Sequence, residues 1–119
     1  MTRRKKNRLG TQIGIEIWDG SAAEGLLIYH PQGVVINCCA RIGKNCKIHG
    51  NNCIGNIDTV RGKAPVIGNN VEIGVGAKII GDIYIADNIK IGAGAVVTKF
   101  FYEEGITLVG IPAKPYIKV

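Results

Sequence analysis

The chain has 119 residues, a formal net charge of +6, 46% hydrophobic residues, 17 glycines and 6% aromatics. That length suits one domain, and the hydrophobic share excludes a chain too polar to fold. No apolar run approaches the ~18 residues of a spanning helix, and no apolar stretch follows the basic start as in a signal peptide, so a cytoplasmic protein without a membrane span is expected.

Residues 1–12 read as a basic N-terminal arm, with Arg3, Arg4, Lys5, Lys6 and Arg8 supplying most of the net charge. No aromatic interleaving or amphipathic pattern accompanies these charges, so no nucleic-acid partner is expected. Residues 13–119 read as the folded unit. Ile13 to Ile17 alternate as in a strand. Trp18 to Gly25 break that pattern and predict a turn or an irregular first coil. Leu26, Leu27 and Ile28 resume a strand, which stops at Tyr29-His30-Pro31, where Pro31 and Gly33 mark a turn.

A six-residue period then takes over. Ile36, Ile42, Ile48 and Ile54 form one block; Ile67, Ile73, Ile79, Ile85, Ile91 and Val97 form a second. Helical and simple strand periods fit this spacing poorly. A fixed hexad predicts a β-helix, with one short strand and one turn per repeat and three hexads per coil. The branched residue of each hexad points inward and stacks on its counterpart one coil away. Glycines and asparagines between these anchors suit the corners. Ile54 and Ile67 stand 13 positions apart, one more than two hexads, and the segment from Val60 to Pro65 reads as an exposed loop. Irregularities in a solenoid map to loops, where function often resides.

After Thr98 the hexads stop. Phe100, Phe101 and Tyr102 provide bulky side chains to cap the coil, Ile106 to Ile111 suit a last strand, and Pro112 and Pro115 predict an extended C-terminal tail. The four cysteines, Cys38, Cys39, Cys46 and Cys53, include no Cys-x-x-Cys pair. They read as free thiols, and no metal site is expected. Cys46 holds the fifth place of its hexad and is expected to pack.

Four segments carry a resemblance to a known family. They are Leu26-Leu-Ile-Tyr-His-Pro-Gln-Gly-Val-Val-Ile36, Ala64-Pro-Val-Ile-Gly-Asn-Asn-Val-Glu-Ile-Gly-Val-Gly-Ala-Lys-Ile-Ile-Gly81, Ile91-Gly-Ala-Gly-Ala-Val-Val-Thr-Lys99 and Val109-Gly-Ile-Pro-Ala-Lys114. Together they resemble the hexapeptide-repeat acyltransferases, in the serine acetyltransferase-like branch. The resemblance implies an all-β, single-domain left-handed parallel β-helix. It also implies a homotrimer with a CoA groove between subunits.

The implied chemistry is acetyl transfer from acetyl-CoA, as co-substrate and without a metal, to the hydroxyl of a small-molecule acceptor. A hydroxyl needs a base to take its proton, and histidine suits that role near neutral pH. His30 matches the family's catalytic histidine. Glu16 occupies the strand that carries the orienting carboxylate in the family, with Asp19 as a rival partner. Gly74, Val75, Gly76 and Ala77 on one coil, and Gly92 and Ala93 on the next, match positions along which the pantetheine arm lies. Lys99 and Lys114 are placed to attract CoA phosphates.

His49, second in its hexad, is expected to point outward, either as a surface histidine or as a contact in the cleft between subunits. Tyr29, Lys63 and Ala64 stand where serine acetyltransferases carry Asp, Arg and His. Lys63 keeps a charge without a planar fork, and Ala64 donates nothing. Tyr29, Lys63 and Arg61 are therefore expected to bind an acceptor other than free serine, a sugar or surface-polysaccharide hydroxyl. Serine O-acetylation, or a structural β-helix without activity, is the alternative.

Overall fold

The computed structural model describes residues 21–56 and 63–117 together with the backbone of Ile15–Glu16. The basic arm and Asp19, Arg61 and the Glu16 side chain lie outside the described residues. Fourteen strands of two or three residues, and no helix, make up the described residues. No helix is long and apolar enough to cross a membrane.

The strands form three sheets, one on each face of a prism. The first face holds β1 (Ile15–Glu16), β3 (Val34–Ile36), β6 (Cys53–Gly55), β9 (Lys78–Ile80) and β12 (Val96–Val97). The second holds β4 (Arg41–Ile42), β7 (Val66–Ile67) and β10 (Tyr84–Ile85). On the third lie β2 (Leu27–Ile28), β5 (Lys47–Ile48), β8 (Glu72–Ile73), β11 (Lys90–Ile91), β13 (Thr107–Val109) and β14 (Lys114–Pro115). Every pairing is parallel except that of β13 with β14. The coils wind as a left-handed parallel β-helix.

Inward residues meet their counterparts in direct register. Ile36 pairs with Ile54 and Ile54 with Ile79 on one face, Ile48 with Ile73 and Ile73 with Ile91 on another. The hexad anchors Ile36 to Val97 are all buried. Each contributes roughly 1.5–3 kcal/mol by leaving water, so the core grows additively with each coil. Cys46 packs among them as expected, its thiol donating to the Gly68 carbonyl at 3.2 Å. At the corners Asn45, Asn51, Asn70 and Asn88 adopt left-handed backbone angles, with φ between 52° and 62°. Asparagine reaches that region at lower cost than other non-glycine residues.

Between Ile28 and Val97 two corners depart from the six-residue rule. Ile54 and Ile67 lie on adjacent faces, so their 13-position spacing is one hexad plus seven inserted residues, not two hexads plus one. Ile28 and Ile36 also lie on adjacent faces, eight positions apart, so the corner holding His30 and Pro31 has two extra residues. The C-terminal tail is extended in conformation but does not run free. Lys114–Pro115 return antiparallel to β13, and the Tyr116 amide donates to the Thr107 carbonyl at 2.7 Å.

Candidate active site

The enlarged corner after β2 presents His30. Its amide donates to the His49 carbonyl at 3.1 Å, and Tyr29 N donates to Ile48 O at 2.9 Å, which ties the corner to the next coil. His30 sits directly over Gly50: a Cβ built there meets the His30 carbonyl oxygen at 2.6 Å and its Cβ at 3.0 Å. Gly50 also has φ 138°. Space and backbone conformation together reserve this position for glycine. The His30 side chain is exposed, as a general base must be to reach a hydroxyl.

The register of the third face extends this corner into a strip. Tyr29, His49, Gly74, Gly92 and Val109 each follow an aligned strand position, Ile28, Ile48, Ile73, Ile91 and Leu108. The strip thus begins with two rings and continues over two glycines. Gly74 and Gly92 stack because their coils touch: a Cβ on Gly74 meets Ala93 N at 2.7 Å and Ile91 O at 2.8 Å. The Gly94 amide donates to Val75 O at 2.9 Å, joining the two Gly-rich corners, and Val75 and Ala93 remain exposed. Gly74, Val75, Gly76, Gly92 and Ala93 therefore share one surface, whereas Ala77 is buried in the core and is not part of it. Lys99 and Lys114 are exposed.

Glu16 pairs with Val35 through its backbone, on the face that follows the His30 corner; its side chain lies outside the described residues, as do Asp19 and Arg61. Lys63 reaches Asp82 at 3.4 Å, and Ala64 is only 3% exposed.

An imidazole–carboxylate pair absent from the sequence expectations lies beside His30. His49 Nε2 and Glu72 Oε2 are 2.8 Å apart, joining β5 to β8 across one coil boundary. The Tyr29 and His49 rings stack, with centroids 4.8 Å apart and planes 21° from parallel. His49 points outward as expected, but it is engaged on two sides. Its hydrogen bond holds the Glu72 carboxyl below the ordinary carboxylate range, the charges of His49, Lys47 and Lys90 act in the same direction, and partial burial opposes them. Lys47, Glu72 and Lys90 are consecutive partners along the face and border an open cavity of about 490 Å³ with Asn45, Asn70 and Val71. The 25-residue separation of Lys47 and Glu72 hides this ladder in the sequence, because the insertion after Ile54 shifts the count.

Residues 64–99 match the profile of the bacterial transferase hexapeptide family (six repeats). A serine acetyltransferase of Synechococcus elongatus is 40% identical over 103 residues, 85% of this chain and 42% of that protein. The serine acetyltransferase of Neisseria gonorrhoeae in complex with serine superposes with a TM-score of 0.82 at 36% identity, covering 96% of this chain and 49% of that one. That of Brucella abortus in complex with coenzyme A gives a TM-score of 0.83 at 30% identity, covering 92% and 44%. The chain spans about half the length of these relatives. Its repeats, coil register and matching profile place it in the hexapeptide transferase family, with serine acetyltransferases as its relatives.

Proposed function

We propose that this β-helix transfers an acetyl group from acetyl-CoA to a hydroxyl, that of serine, with His30 as general base. The observation that carries this reading is the exposed His30 corner at the head of the Gly74–Gly92 strip, in a chain similar to serine acetyltransferases along most of its length. His30 takes the hydroxyl proton as the oxygen attacks the thioester carbonyl. On collapse the C–S bond breaks, and the imidazolium returns the proton to the departing thiolate. Glu16 orients the ring, as in triad logic.

The smooth strip of small residues suits a pantetheine arm lying against main chain, with Lys99 and Lys114 drawing its phosphates. A homotrimer with this groove between subunits completes the site. The reaction belongs where acetyl-CoA is, in the cytoplasm.

A sugar or glycan hydroxyl is the second reading, and one observation favours it. Ala64 is buried and has no polar group to meet an amino-acid carboxylate, and the exposed Lys63 has Asp82 within 3.4 Å. Release of the CoA thiol by the purified chain, measured with serine and with a panel of free and nucleotide-linked sugars, tests both. Turnover with serine at the rate of other serine acetyltransferases rejects the sugar acceptor; turnover with sugars alone rejects serine. His30→Asn should abolish transfer and retain CoA binding, and surviving transfer would remove His30 from its role.

A further inference from the structure

The transferase reading leaves His49 and Glu72 without a task. Both are polar, both are half-buried, and they meet at 2.8 Å across a coil boundary. The second side of the His49 ring carries Tyr29, whose own side chain is 46% exposed and adjoins His30 in sequence. The His49 carbonyl meanwhile accepts the His30 amide. One residue therefore touches the proposed base through its backbone and the neighbouring ring through its side chain.

We propose that Glu72, acting through His49, holds Tyr29 beside His30 as the wall against which the acceptor rests. The proposal builds on the acetyl-transfer reading and names its acceptor-positioning unit. Three features support it. An outward imidazole alone rotates about its side-chain bonds, and a charge-assisted hydrogen bond to a carboxylate removes that freedom. Near-parallel stacking at 4.8 Å passes the constraint to the tyrosine, since aromatic pairs favour such offset contact. Lys47 and Lys90 pair with Glu72 on either side, so their positive charges add to the His49 hydrogen bond in favouring the carboxylate that accepts from the imidazole.

The acceptor that fits such a wall carries its hydroxyl on a saturated carbon whose C–H face lies against the ring. Both serine and a sugar have that chemistry. Tyr29, His49 and Glu72 are positioning residues here, and His30 alone handles the proton.

Two readouts test the proposal on the full chain, with acetyl-CoA and whichever of serine or the sugars the wild type acetylates. Glu72→Ala should raise the acceptor KM about tenfold, the loss typical of one charge-assisted hydrogen bond, and leave the acetyl-CoA KM unchanged. Glu72→Gln keeps an oxygen for the imidazole and should recover most of that loss. Nitrogen-15 spectra of the His49 ring should change in Glu72→Ala and not in Tyr29→Phe. An acceptor KM indifferent to Glu72→Ala in an active chain overturns the positioning role and leaves the transferase reading intact. A wild type that acetylates neither serine nor any sugar, despite altered His49 spectra in Glu72→Ala, overturns the transferase reading and the acceptor role with it.

Discussion

Asn52, which is buried, reaches back two residues to accept the Gly50 amide on its Oδ1 at 2.8 Å. Its Nδ2 donates to Gly74 O at 2.7 Å and to Ala77 O at 3.0 Å on the next coil. One amide thus satisfies three backbone groups at the corner on which His30 rests. Asn52→Ala removes the partner of the Gly50 amide and the Ala77 carbonyl, while the Gly74 carbonyl keeps the Ala77 amide, and should cost about 2–3 kcal/mol. Urea unfolding measures the cost, and a loss below ~0.5 kcal/mol would show that water replaces the amide fully.

Gly74 serves the packing of coils before it serves any ligand. A methyl group there meets backbone atoms of Ile91, Gly92 and Ala93 below 3.0 Å. Gly74→Ala should destabilise the fold by about 1–3 kcal/mol through overpacking. Thermal unfolding without CoA reads this cost, separately from any change in CoA affinity.

Ile73 stacks between Ile48 and Ile91 and is fully buried. Ile73→Asp puts a carboxyl where no partner exists and should cost more than ~4 kcal/mol, enough to abolish cooperative folding. Asn69→Ala is milder: it removes the acceptor of the Lys44 amide at the surface, and about 1 kcal/mol is expected. Circular dichroism melting curves of the two variants should differ accordingly.

Acid should weaken the fold partly through Glu72. Its carboxyl is held below the ordinary value of 4.5 in the folded chain, chiefly by His49. The unfolded chain therefore binds this proton more readily, and stability rises with pH across that window. The Glu72 contribution is fully present above 4.5 and is lost as pH falls through the lower folded value. Glu72→Gln should flatten the part of a stability–pH profile that lies below the ordinary 4.5, and an unchanged slope would dissociate the pair from stability.

Burial pushes the Cys46 thiol up from its ordinary 9.0. Its neutral form is thus favoured in the fold, a contribution present below 9.0 and lost as pH rises through the raised value. Cys46 should resist alkylation at pH 8 until the chain unfolds, whereas exposed Cys38 should react at once. Mass spectrometry after brief iodoacetamide treatment distinguishes the two.

The prism was legible from the hexads because each inward Ile or Val repeats at a fixed interval, and the residues from Ile36 to Val97 fell where that period put them. The turn that carries His30 and the corners that carry Gly74 and Gly92 were likewise readable, since each is a local run of residues. Asn52 was not: a buried asparagine looks like any corner asparagine until its three partners are known. The His49–Glu72 pair was hidden for a different reason. Its members are 23 residues apart, and joining them requires the position and size of the insertion between Ile54 and Ile67. The seven-residue excess itself was miscounted because period alone does not say which face follows which.

That insertion has a consequence for variation in this architecture. Ile54 pairs with Ile79 and Ile42 with Ile67 as if the seven residues were absent, so the register on both sides is kept across the insertion. Loop closure penalises added length only slowly. Length added ahead of Ala64 therefore leaves the pairing of the anchors unchanged, whereas Ala64 itself packs in the core.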